Sequence, residues 1–161
     1  MKCLIFSDSH GNTRNMREAI ARNPDAEVVF FLGDGLNDAD ALAANDGTRA
    51  WLAVAGNCDF MPLFKDAYVK KTDSITLMEK KIVFTHGDLY GAKYGMGGLF
   101  SLAGELGADV VLFGHTHEAL EEYRNFENGG VYFFNPGSIG GCSYGLLLLT
   151  DKGILLSHGR I

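Results

Sequence analysis

Seven side chains able to ligate a metal ion recur at one kind of place in this chain. Asp8 and His10, then Asp34, Asn57, His86, and finally His115 and His117 stand where an apolar run stops: CLIFS, VVFFLG, WLAVAG, KIVFT and VVLFG. Four of the five histidines belong to this set. Asp8-Ser9-His10 and His115-Thr116-His117 each separate two donors by two residues, and extended backbone would point such a pair to the same side. Carboxylate, amide and imidazole donors without thiolate suit Mn²⁺, Fe²⁺, Zn²⁺, Ni²⁺ or Co²⁺, whereas Mg²⁺ and Ca²⁺ prefer shells of oxygen.

One ion cannot use all seven donors and still admit a substrate. Two divalent ions can, provided that one carboxylate bridges them. Two ions about 3.5–4 Å apart lower the pKa of a shared water and clamp the oxygens of an in-line phosphoryl displacement, so the chemistry expected is hydrolysis of a phosphate ester.

Positioning such a set requires strands that empty into loops at one edge, as in open α/β sheets, where ligands bind beyond the carboxyl ends of the strands. The first half reads as strand Lys2 to Ser7, helix Thr13 to Arg22, strand Glu27 to Leu32, helix Asp38 to Ala44 and strand Arg49 to Val54. This βαβαβ order implies a parallel sheet with helices packed on it. In the first helix Met16, Ile20 and the alanines form the apolar face, with Thr13 as N-cap. A hairpin follows, Ser74 to Met78 and Lys81 to Thr85 around Glu79-Lys80. The glycine-rich loop Gly91 to Gly98 leads into a helix Leu99 to Leu106 that Gly107 stops, and a strand Asp109 to Phe113 comes next. The last third reads as strands Ala119 to Arg124, Val131 to Asn135, Tyr144 to Thr150 and Ile154 to His158, with turns at Asn128-Gly129-Gly130 and Asp151-Lys152-Gly153. The run Leu146 to Leu149 suits either core or interface.

The 161 residues suit one domain, 1–161, without linker or repeat. A net charge of −6 and no basic stripe exclude a protein that grips long nucleic acid. The charge tolerates a small phosphorylated substrate, because two divalent ions add about +4 locally. Cys3, Cys58 and Cys142 are odd in number and widely spaced, so neither a disulfide framework nor a zinc ribbon is expected and the setting is a reducing, cytoplasmic one. The opening MKCLIFSD is too short for a signal-peptide core, and no stretch approaches the roughly 20 apolar residues of a membrane span.

In order along the chain, D-x-H (Asp8, His10), G-D (Gly33, Asp34), G-N-x-D (Gly56, Asn57, Asp59), H-G (His86, Gly87) and G-H-T-H (Gly114 to His117) resemble the motifs of the calcineurin-like metallophosphoesterases. The likeness is nearest to their small bacterial and archaeal phosphodiesterase branch, and Asn135-Pro136-Gly137-Ser138 resembles a later segment of that branch. The resemblance implies an α/β fold, a four-layer α/β/β/α sandwich of two mixed β-sheets flanked by helices. It implies that Asp8, His10, Asp34 and His117 hold one ion and Asp34, Asn57, His86 and His115 the other, with Asp34 as bridge. Mn²⁺ is the first expectation for both ions, and a bridging hydroxide is the expected nucleophile on a small phosphodiester. Asp34, Asn57 and His86 are the residues expected to matter most for catalysis. A homodimer or homotetramer is compatible with this pattern.

Larger members carry G-N-H-[DE], with a histidine that assists the leaving group or binds phosphate; here Cys58 stands in that place. A thiol near pKa 8.5 is a poor general acid at neutral pH, which favours leaving groups that need little protonation. Cys58 itself reads as a small, partly buried spacer. Asp59 suits either a carboxylate that orients a ligand or a purely structural one. His158 lies outside every motif and reads as an ordinary strand histidine. Pro136 occupies the first position of a G-x-S-x-G elbow around Ser138, and Gly33-x-Gly35 continues to Asp38, so neither a serine hydrolase nor a dinucleotide fold fits. The alternative function is a non-catalytic interaction scaffold, because a eukaryotic retromer subunit resembles this fold after losing part of the metal shell.

Overall fold

The computed structural model describes residues 1–127 and 129–161. Asn128, the first residue of the turn expected at 128–130, lies outside the described residues. β1 (Lys2–Phe6), β2 (Val28–Phe31) and β3 (Ala50–Ala53) run parallel and are linked by α1 (Thr13–Arg22) and α2 (Leu36–Ala43). After the small ribbon of β4 (Leu63–Phe64) and β5 (Ala67–Tyr68) come β6 (Thr72–Leu77), β7 (Lys80–Thr85), α3 (Gly97–Leu106) and β8 (Val110–Leu112). The chain closes with β9 (Ala119–Phe126), β10 (Gly129–Pro136), β11 (Ser143–Thr150) and β12 (Gly153–Arg160).

Two five-stranded mixed sheets result, ordered β12-β11-β1-β2-β3 and β6-β7-β8-β10-β9. Strand alternation decides what each face packs against. Cys3, Ile5, Val28 and Phe30 meet Ile82, Phe84, Leu112 and Phe134 between the sheets. Leu4, Phe6, Val29 and Phe31 face the other way and bury Met16, Ala19, Leu36 and Ala39 of α1 and α2. Val83, Val111 and Phe133 bury Leu99, Leu102 and Ala103 of α3. The layers are therefore helices, sheet, sheet and helix, as the resemblance implied. Leu147 and Leu149 belong to the inter-sheet core while Leu148 points outward, 37% exposed.

The local departures have physical causes. Asn12, not Thr13, caps α1, its side chain accepting from Asn15 N at 3.3 Å, and of the alanines in that helix Ala19 is buried while Ala21 is exposed. The hairpin turn is Met78-Glu79 rather than Glu79-Lys80, with φ of 47° and 62°. Both central residues of this two-residue loop are left-handed, as the twist of flanking strands demands, and neither is the glycine or asparagine usual there. Helix α2 starts two residues earlier than expected, at Leu36, because a distant carboxylate caps it, as described next.

Candidate metal centre

The carboxyl ends of β1, β2 and β3 in one sheet, and of β7 and β8 in the other, lie beside one another across the sandwich. Asp8 N donates to Gly33 O at 3.0 Å, tying the β1 and β2 loops, and Gly114 N donates to His86 O at 2.9 Å, tying those of β7 and β8. His115 N donates to Asp8 Oδ2 at 3.1 Å and so joins the sheets.

Extended backbone is not what aims the donors. Asp8, His10, Asp34, His115 and His117 all have left-handed φ, from 46° to 68°. This corrects the expectation that Asp8/His10 and His115/His117 project together from extended chain. Such a conformation costs about 1–2 kcal/mol at a residue with a Cβ, and five of the seven candidate ligands carry that strain.

Among the described residues, three clusters each bring their donor atoms within 4.8 Å of one another: Asp8, His10 and His117; Asp8, Asp34 and His86; and His10, Asp34 and Cys58. Asp8 is 0% and Asp34 3% exposed. Asp8 Oδ2 accepts from Ser7 Oγ at 2.6 Å as well as from His115 N. Asp8 Oδ1 is buried and accepts no hydrogen bond, although His117 Nε2 lies 3.1 Å and His10 Nε2 3.8 Å away. The two imidazole nitrogens are themselves 3.4 Å apart. A buried carboxylate oxygen that accepts no hydrogen bond and is faced by two ring nitrogens is an arrangement a cation would complete.

His86 is 0% exposed, and its Nδ1 lies 2.7 Å from Leu32 O. That carbonyl can only accept, so Nδ1 carries a proton and Nε2 of the neutral ring presents a lone pair. Nε2 faces Asn57 Oδ1 at 3.2 Å and Asp34 Oδ2 at 3.4 Å. Burial opposes charge on both His86 and Asp34, yet their mutual contact prevails: the imidazole is pushed up, and the carboxyl is held below the usual carboxylate range, helped by Cys58 N–H at 2.7 Å. His115 belongs to none of the three clusters; its ring meets that of His86 edge-on, centroids 5.0 Å apart, and burial followed by the neighbouring His86 depresses its pKa.

Cys58 is exposed, correcting the reading of a partly buried spacer, and its thiol is pushed up by its contact with Asp34. Asp59 accepts from four backbone N–H groups, Asp34 and Gly56 on Oδ2 and Gly35 and Leu36 on Oδ1, at 2.8–3.0 Å. It pins the Asp34 loop to the Asn57 loop and caps α2, which has no side-chain cap of its own. A Cβ at Gly56 would run into the Asp34 carboxylate, which is why these loops can close so tightly.

Three supports escaped the sequence. Asp38 Oδ2 accepts from Ser9 Oγ and Gly11 N, both at 2.7 Å, holding the loop that carries His10. Buried Asn135 donates to Gly114 O at 2.9 Å and Thr116 Oγ1 at 3.0 Å, fixing the loop that carries His115 and His117. Ser138 Oγ donates to Asp8 O at 2.8 Å. The segment containing Asn135 and Ser138 was visible as a motif, but its partners are distant in sequence, from 19 residues for Thr116 to 130 for Asp8.

Residues 1–152 match the family model of the calcineurin-like phosphoesterase superfamily domain. The chain is 37% identical over 139 residues to the probable metallophosphoesterase YsnB of Bacillus subtilis, covering 86% of this chain and 75% of that one. It is 28% identical over 176 aligned positions to the phosphodiesterase MJ0936 of Methanocaldococcus jannaschii, covering 94% and 95% of the two chains. Vacuolar Protein Sorting 29 from Cryptosporidium parvum superposes with a TM-score of 0.73 at 18% identity, over 99% of this chain and 97% of that one, a likeness of fold alone.

Proposed function

Because the chain belongs to the calcineurin-like phosphoesterase superfamily, we propose that it is a binuclear metal-dependent phosphodiesterase formed by a single domain, residues 1–161. Asp8, His10, Asp34 and His117 hold one divalent ion and Asp34, Asn57, His86 and His115 the other, with Mn²⁺ the preferred metal. The observation that carries this reading is the buried Asp8 Oδ1, without a hydrogen bond and faced by His117 and His10. The convergence of His86 Nε2, Asn57 Oδ1 and Asp34 Oδ2 supports a second ion.

When bound, the ions supply an activated water and offset the charge that develops on the phosphoryl oxygens. The protein's own part is orientation. Leu32 O fixes the His86 tautomer, Ser7 and the His115 N–H fix the Asp8 carboxylate, and the Cys58 N–H with Asp59 fixes Asp34. With Cys58 rather than an imidazole at the site's mouth, diesters with a good leaving group are the substrates of choice.

The test is metal content by mass spectrometry together with turnover of bis-p-nitrophenyl phosphate after Mn²⁺ loading. Two ions per chain with turnover is the expected result. Two ions bound with no turnover of any diester would favour the non-catalytic scaffold.

A further inference from the structure

His158 and Arg160 lie two residues apart on β12, a strand outside the set whose ends carry the seven ligands. Register brings them to the same edge: Arg160 pairs with Ser143, His158 with Gly145, and Gly145 with Ile5 of β1. A cleft of about 650 Å³ opens there and is shared with His117, roomy enough for a small organic group. Ser138 and Ser143 line it, but their hydroxyls point back into the protein, onto Asp8 O at 2.8 Å and Pro136 O at 2.7 Å. His158 lies flat on Phe134, centroids 4.4 Å apart, and donates from Nε2 to Asn135 O at 2.8 Å, so Nδ1 is its remaining polar atom.

Arg160 is exposed, and its guanidinium takes part in none of the ion pairs among the described residues. No carboxylate lines the cleft. In a chain of net charge −6, a guanidinium without a partner, in a carboxylate-free cleft that adjoins the candidate centre, marks a place for an oxyanion.

We propose that this cleft receives a second anionic group carried on one arm of the substrate, with Arg160 pairing its carboxylate or phosphate and His158 Nδ1 accepting from a neighbouring hydroxyl. The substrate class is thereby a phosphodiester with a negatively charged arm. This rests on the phosphodiesterase reading above, and it assigns to His158 a role that its position outside the motifs did not suggest.

The test uses p-nitrophenyl phosphodiesters whose other arm is 2-carboxyethyl, 2-phosphonoethyl, 2-hydroxyethyl or choline, with bis-p-nitrophenyl phosphate as reference. In the Mn²⁺-loaded protein an anionic arm should raise kcat/KM about tenfold to hundredfold over the choline arm, the range of one hydrogen bond between charged groups. The ratio of the carboxylate to the phosphonate arm tells which oxyanion the cleft prefers. Arg160→Gln, whose exposed side chain leaves the strand pairing with Ser143 intact, should erase that preference and leave bis-p-nitrophenyl phosphate turnover within about twofold. Calorimetry with 2-carboxyethylphosphonate against ethylphosphonate reads the same contrast without turnover. A binding contrast that Arg160→Gln removes, in a protein that hydrolyses no diester, would retain the cleft and reject the hydrolase. Absence of any preference in the wild type, or its survival in Arg160→Gln, would overturn the proposal.

Discussion

Asp59→Ala tests how the candidate centre is held together. The carboxylate accepts from Asp34 N at 2.9 Å, Gly56 N at 2.8 Å, and Gly35 N and Leu36 N at 3.0 Å each. Alanine strands four donors at once, two of them at the start of α2. A hydrogen bond to a charged group contributes about 1.5–3 kcal/mol, and a carboxylate at a helix N-terminus about 0.3–1 kcal/mol more. Asp59 is only partly buried, so water recovers a share of those bonds, and the expected loss is about 3–5 kcal/mol. For a chain of this length that lowers Tm by about 6–20 °C. Asp59→Asn keeps one acceptor oxygen but turns an NH₂ toward the other donor pair, and should fall between the wild type and Asp59→Ala. Metal affinity should weaken in both variants, because the backbone of Asp34 loses its anchor. Calorimetric melting of metal-free protein and titration with Mn²⁺ measure the two effects. If Asp59→Ala melts within about 2 °C of the wild type and binds Mn²⁺ with unchanged affinity, the anchoring role is wrong.

Asp8→Asn should raise the Tm of the metal-free protein, since an amide nitrogen in the place of Oδ1 can donate to His117 Nε2, and should abolish the further rise on adding Mn²⁺. Differential scanning with and without Mn²⁺ reads both. Asn57→Ala, at an exposed position, should change stability by no more than about 0.5 kcal/mol yet lower turnover of metal-loaded protein by about 10–100-fold. His86→Ala should lose turnover and also about 2–4 kcal/mol, because it opens a cavity at a fully buried residue and strands Leu32 O; urea denaturation separates the two variants. Away from the centre, burial raises Asp46 but hydrogen bonds from Thr48, Trp51 and Arg49 outweigh it and lower its pKa from 3.8 to about 2. A carboxyl depressed on folding adds stability that is complete above 3.8 and lost as pH falls through about 2. Asp46→Asn should therefore be about 1–2 kcal/mol less stable than the wild type near neutral pH, with the gap closing in urea titrations as the pH approaches 2.

The strands and helices were legible because their causes are local. VVFFL between Glu27 and Gly33 is too short for an ordinary helix and reads as a strand buried on both faces, and Gly107, left-handed at φ 63°, ends α3 where it was expected to. The placement of the candidate donors was legible for the same reason, since a donor that directly follows a buried strand must lie at a sheet end. The short β4–β5 ribbon and the first turn of α2 were not, because β4 and β5 are two residues each and α2 takes its cap from Asp59, over twenty residues downstream.

The chain order of the amino acids by itself determined which candidate donors exist, that they follow strands, and that they are of types suited to metal ions. Only the tertiary structure decided which donors meet. Asp8, Asp34 and Asn57 follow strands of one sheet while His86, His115 and His117 follow strands of the other, so their contacts exist only once the inter-sheet core has formed. The left-handed backbone at Asp8, His10, Asp34, His115 and His117 is likewise unreadable from residue type, because those residues disfavour it unless the surrounding hydrogen bonds of Asp38, Asp59, Asn135 and Ser138 impose it. Arg160 shares this dependence: nothing near it in sequence marks it, and it reaches the site because β12 pairs with β11, which pairs with β1.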